Sequence, residues 1–155
     1  MLRLSLTLTL WLSLALCLSV NSFSHTQKRS GDDDGPLFHE YRGVQIGSLA
    51  DEVRKKLGNP TDKSPEQDFF VFGDKETAQI VYDKAGKVVT ISVDFMSGAN
   101  GVITPKQLFS GDIEVKPDGS MYKMVRYPKA GCWLSYNRTA GDQPLVTVTL
   151  QKIER

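Results

Sequence analysis

Cys132 and His39 are the two side chains in this sequence that could form a nucleophile and its base. A thiol attacks an acyl carbon as its thiolate, so such chemistry needs a base close by in space. The other imidazole, His25, lies far upstream of the segments with core-like patterning. Cys132 is set in Gly131-Cys132-Trp133-Leu134, an apolar stretch in which a cysteine packs as a small hydrophobe. Strand alternation puts Cys132, Leu134 and Tyr136 on one face, which favours a structural thiol. The chain has no glycine-rich phosphate loop after a strand and no His-Glu-x-x-His, Gly-x-Ser-x-Gly or Ser-x-x-Lys signature. Its carboxylates fall on turns or on the polar faces of strands. A carboxylate pair distant in sequence could still meet in space, and no residue singles one out. The reading is non-enzymatic, with no catalytic residue, metal or cofactor, and a small thiol or carboxylate hydrolase is the alternative from a different class.

A stronger pattern lies in the second half, where Tyr122, Tyr127, Trp133 and Tyr136 cluster with Arg126 and Arg138. Tyr, Trp and Arg are enriched where proteins bind one another, because they combine a large contact area with a polar handle. Tyr122, Arg126, Tyr127, Trp133 and Arg138 are therefore the candidate binding residues. Alternation turns Trp133 to the face opposite Cys132 and Tyr136, so the aromatics cannot all be buried on one side. Burial of both Trp133 and Tyr122 would end this reading.

These residues must be positioned by the elements around them. Leu49, Val53 and Leu57 recur at i, i+4 and i+8 and predict a helix, with Ser48 as its cap, Asp51–Lys55 and Glu52–Lys56 as surface pairs, and Gly58 and Pro60 as its stop. Strands are predicted at 69–72, 78–83 and 87–95. The last places Val89, Ile91, Val93 and Phe95 on one face, and Asp83-Lys84-Ala85-Gly86 forms the hairpin turn before it. The order then begins again. Thr104 and Pro105 open a second, short helix before Gly111, and strands follow at 121–127, 132–137 and 145–153. The expected fold is α+β: two tandem helix–three-strand units, about 43–96 and 102–153, with the helices packed on one face of a mostly antiparallel sheet. The other face would be left as a contact surface.

The first 24 residues read as a cleavable export signal, with a lone basic Arg3, an apolar run over 4–20 and small residues at Ser22 and Ser24. Leu16, directly before Cys17, is the wrong residue for lipidation, so Cys17 is read as part of the apolar run. Residues 25–36, with Asp32, Asp33 and Asp34, read as a flexible polar linker, and 37–155 as a single domain. Losing Arg3 with the leader leaves 18 basic and 18 acidic residues, a formal net charge of zero. Such a balance, without a basic run, argues against nucleic acid as a partner. No membrane span is expected after cleavage. Cys132, then the one remaining cysteine, rules out both an internal disulfide and a paired-cysteine zinc site.

The run Val44-Gln45-Ile46-Gly47-Ser48-Leu49-Ala50-Asp51-Glu52-Val53-Arg54-Lys55-Lys56-Leu57-Gly58-Asn59-Pro60 resembles the opening of the SmpA/OmlA (BamE-like) domain family. The shared pattern is an apolar residue, Gly, a small capping hydroxyl, Glu-Val and Leu-Gly-x-Pro. With the following hairpin the resemblance covers 43–95, and the second half matches in element order alone. It implies a fold similar to the beta-lactamase-inhibitor-protein-like fold and a place in the bacterial envelope, periplasmic or extracellular. The functional expectation is an exported domain that binds another envelope or secreted protein. Inhibition of a secreted enzyme is a further alternative.

Overall fold

The computed structural model describes residues 35–154. The expected leader and all of the linker except Gly35 and Pro36 lie outside the described residues. Among the described residues no helix is long and apolar enough to cross a membrane.

The architecture is a single seven-stranded antiparallel sheet, with 41% of the described residues in strands and 11% in helices. A two-stranded hairpin, β1 (Glu40–Tyr41) and β2 (Val44–Gln45), opens the chain, followed by α1 (Ala50–Leu57). Next come β3 (Asp62–Lys63), β4 (Gln67–Val71), β5 (Glu76–Tyr82) and β6 (Val88–Phe95). A largely irregular stretch carrying α2 (Pro105–Phe109) leads to β7 (Met121–Tyr127), β8 (Cys132–Arg138) and β9 (Val146–Lys152). The spatial order is β3-β4-β5-β6-β9-β8-β7.

This order corrects the expected α+β fold of two helix–three-strand units with helices packed on a sheet. The strands of both halves belong to one sheet, because β9 pairs along β6 from Thr90↔Gln151 to Phe95↔Val146. The helices are too short to form a layer: α1 has 8 residues and α2 has 5. Pro105 opens α2, and Ser110 ends it in the left-handed region at φ 58°. The core is closed by side chains from the β1–β2 hairpin, α1 and the 99–113 segment, including Tyr41, Val44, Val53, Leu108 and Ile113.

Period-two alternation built the sheet. Ala78, Ile80 and Tyr82 on β5, Ile91, Val93 and Phe95 on β6, Val146, Val148 and Leu150 on β9, and Cys132, Leu134 and Tyr136 on β8 all point into the core. Burying an apolar side chain of this size is worth about 1.5–3 kcal/mol relative to leaving it exposed. Val89 does not share that face as expected. The β5–β6 register slips by one residue between Val81 and Tyr82, so Tyr82 faces Val88 and Val88 takes the core position. The backbone of Val88 is also engaged outside the sheet, receiving the Gly47 N–H (2.8 Å) and donating to the Ser48 carbonyl (2.9 Å). A β-bulge of this kind satisfies both sets of bonds by inserting one residue.

The start of α1 also differs from expectation. Leu49 is the N-cap and is 46% exposed, and its N–H donates to the Glu52 carboxylate at 3.1 Å. Ser48 Oγ instead accepts from Gln45 N–H at 3.2 Å. Asp51 pairs with Arg54 rather than Lys55, at 3.4 Å, and Lys56 donates to the Gly43 carbonyl.

Candidate functional site

The two faces of the sheet differ in chemistry. On the face away from the core, β6 presents Thr90, Ser92 and Asp94, opposite Gln151, Thr149 and Thr147 of β9. These pairs bond across the strands: Ser92 and Thr149 hydroxyls lie 3.1 Å apart, and the Thr147 hydroxyl donates to Asp94 at 2.6 Å. Gln79 on β5 donates to the Gln67 side chain on β4 at 2.7 Å. The centre of the face is thus a short-chained polar lattice whose groups bond to one another.

Toward β7 the same face becomes aromatic and basic. Tyr122, Met124 and Arg126 project from β7, and Trp133, Ser135 and Asn137 from β8. Arg126 stands directly opposite Trp133, Met124 opposite Ser135 and Tyr122 opposite Asn137. Tyr122 is 56% exposed and Met124 48%, while Trp133 is half-buried. Arg126 is exposed and makes no ion pair among the described residues.

The five candidate binding residues therefore divide. Tyr122, Arg126 and Trp133 share the open face. Tyr127 and Arg138 belong to the other face: Tyr127 is buried opposite Cys132, and Arg138 pairs with Val146 and donates to the Gly119 carbonyl. Met124 completes the patch and was missed, although Tyr122-x-Met124-x-Arg126 is itself a period-two signal.

The thiol chemistry meets a different geometry. Cys132 and His39 line the same groove of about 330 Å³ with Gly35, Pro36, Gln45, Ile46, Ala130 and Leu150. Cys132 is only 6% exposed, and burial pushes its thiol pKa up, away from the thiolate a nucleophile requires. His39 Nδ1 lies 3.2 Å from the Leu37 carbonyl oxygen. The two side chains line one groove, and burial there works against the thiolate.

Asp68 is the one fully buried carboxylate among the described residues, and its oxygens are occupied. It accepts from Arg54 Nε (2.8 Å) and a terminal Arg54 nitrogen (3.1 Å), and from the Tyr82 hydroxyl (2.7 Å). A second cluster ties the β1–β2 hairpin to β5. The Tyr41 hydroxyl (2.6 Å) and Arg42 (2.8 Å) both donate to Glu76, and the Arg42 guanidinium lies 4.2 Å from the centre of the Phe72 ring. Both clusters join elements of the fold, and the carboxylates of Asp68 and Glu76 are taken up by these bonds. Among the described residues no three His, Cys, Asp or Glu side chains are grouped to hold a metal.

No family model, no curated protein and no solved structure matches this chain.

Proposed function

We propose that this chain is an exported, non-enzymatic domain that binds another protein of the bacterial envelope or its surroundings, using the open sheet face at the β7–β8 end. The observation that carries the reading is the patch of Tyr122, Met124, Arg126 and Trp133 on one face, with Tyr122 56% exposed. An aromatic and arginine cluster beside self-satisfied polar strands offers contact area with little polar desolvation to overcome. The SmpA/OmlA-like run at 44–60 and the leader-like first 24 residues support the envelope location.

The test is capture from native envelope extract by the tagged chain from His25 onward, with cross-linking and mass spectrometry. A single stoichiometric partner, retained by the parent protein and lost from both Tyr122→Ala and Arg126→Ala, supports the reading. Equal retention by the variants would move the contact elsewhere.

A further inference from the structure

The two edges of the sheet are built differently. One edge is β3, only two residues long and made of Asp62 and Lys63, a short charged end of the kind that discourages further pairing. The other is β7, seven residues long, paired with β8 at every position from Met121↔Arg138 to Tyr127↔Cys132, without a proline or a register shift. Its outer side bears no strand among the described residues. Lys123, the charge that could guard this edge, is bent over the covered face with its Nζ 5.0 Å from the Phe109 ring centre.

We propose that β7 is the interface of a homodimer, in which two copies pair their β7 strands antiparallel about a two-fold axis at Met124 and continue the sheet from one molecule into the next. The sequence of the strand selects this occupant and this register. A two-fold normal to the sheet sets one residue opposite its own copy and keeps both open faces on the same side. Centring on Lys123 would oppose two like charges, which is destabilising. Centring on Val125 would bring Tyr122 against Pro128, which has no N–H to offer a ladder. Centring on Met124 matches all seven residues: Tyr122 faces Arg126, Lys123 faces Val125, Met121 faces Tyr127, and no like charges stand opposite each other. The next pair outward is Ser120 with Pro128, where pairing stops at both ends. Arg126, without an ion-pair partner among the described residues, gains a tyrosine ring across the interface. The dimer would fuse two aromatic–basic patches into one surface twice as long. This inference does not depend on the protein-binding reading.

The test uses the chain from His25 onward in sedimentation velocity, with far-ultraviolet circular dichroism to confirm folding of each variant. The parent protein is expected at twice the chain mass. Met124→Glu and Met124→Lys, each opposing a charge to its own copy, should sediment as monomers, and an equal mixture of the two should return to the dimer mass. Met124→Cys should form a disulfide between copies under mild oxidation, because residues directly opposed across the axis lie within bridging distance, about 4.5–5.5 Å between Cα atoms. Tyr122→Cys should not, since it faces Arg126. A parent protein that is monomeric at every concentration overturns the proposal, as does a dimer that survives both charge variants or cross-links equally through Tyr122→Cys. A monomer that instead takes up an added extended peptide along β7 would overturn it too, assigning the edge to another chain.

Discussion

Arg54 grips both carboxylate oxygens of Asp68, at 2.8 and 3.1 Å, and so fastens α1 to β4 at a point where the carboxylate is wholly buried. The Tyr82 hydroxyl donates to the same carboxylate from β5, making one acid the junction of three elements. Removing a partner from a buried pair strands a charge, which costs far more than the pair contributes over an apolar substitute. Arg54→Ala is expected to lower the stability to unfolding by about 3–5 kcal/mol. Tyr82→Phe, which removes one hydrogen bond to a charged group, should cost about 1.5–3 kcal/mol. Urea unfolding followed by circular dichroism reads both; an Arg54→Ala loss below that of Tyr82→Phe would refute the ranking.

The same junction sets an alkaline limit. Burial, reinforced by the bond to Asp68, raises the Tyr82 pKa above its ordinary value of 10.0. Tyr41 is raised for the same reasons, with Glu76 as its acceptor. A folded-state value above the unfolded one means that the folded chain keeps its proton longer. Stability from these groups is therefore complete below pH 10 and falls as pH rises beyond it. The urea midpoint should decline as pH rises from about 10, and less steeply in Tyr82→Phe. A parallel decline in parent and variant would assign the loss to other groups. Cys132 acts in the same direction from its own ordinary value of 9.0, so the comparison is best made in a Cys132→Ala background.

Cys132 should behave as an inert core residue. At 6% exposure and with a raised pKa, it should react with an aromatic disulfide reagent ~100-fold or more slowly in the folded protein than in urea. Fast labelling without unfolding would revive the thiol as a functional group. Its own replacement by Ala should cost about 1–2 kcal/mol, an ordinary packing loss.

The open-face patch should separate binding from folding. Tyr122→Ala and Arg126→Ala remove side chains exposed in the single chain and should change its own unfolding stability by no more than about 0.5 kcal/mol. Each should weaken a captured partner by about tenfold or more, as truncation of an interface anchor does. Titration calorimetry against the purified partner, beside thermal melts of the variants, distinguishes the two effects.

Alternation made the strands legible. The prediction for 121–127 coincides with β7, that for 132–137 stops one residue short of the end of β8, and that for 145–153 overruns β9 by one residue at each end. The same pattern placed Trp133 on the face opposite Cys132 and Tyr136, as found. Three features were hidden. The slip at Val81/Tyr82 accompanies bonds that Val88 makes with Gly47 and Ser48, some forty residues before it, which no local period records. The joining of both halves through β6 and β9 is a choice of partner, and alternation fixes faces, not partners. The Arg54–Asp68–Tyr82 junction looked like surface charge because Arg54 sits on a polar helix face and Asp68 precedes Phe69 at a strand's start. Tyr127 and Arg138 were grouped with the binding patch by composition, although their positions relative to Tyr122 and Trp133 already placed them on the reverse face.

The position of β9 has a consequence for the order of folding. It lies between β6 and β8, so the sheet's middle cannot form until a strand more than fifty residues downstream of β6 arrives, as the Ser92–Thr149 contact illustrates. Until then, β4–β6 and β7–β8 are two fragments, each exposing half of a core. Closing so long a loop is the slow step in building sheets of high contact order. The chain should remain unfolded for longer after synthesis than a domain of local hairpins would, a delay that would suit the export proposed for it.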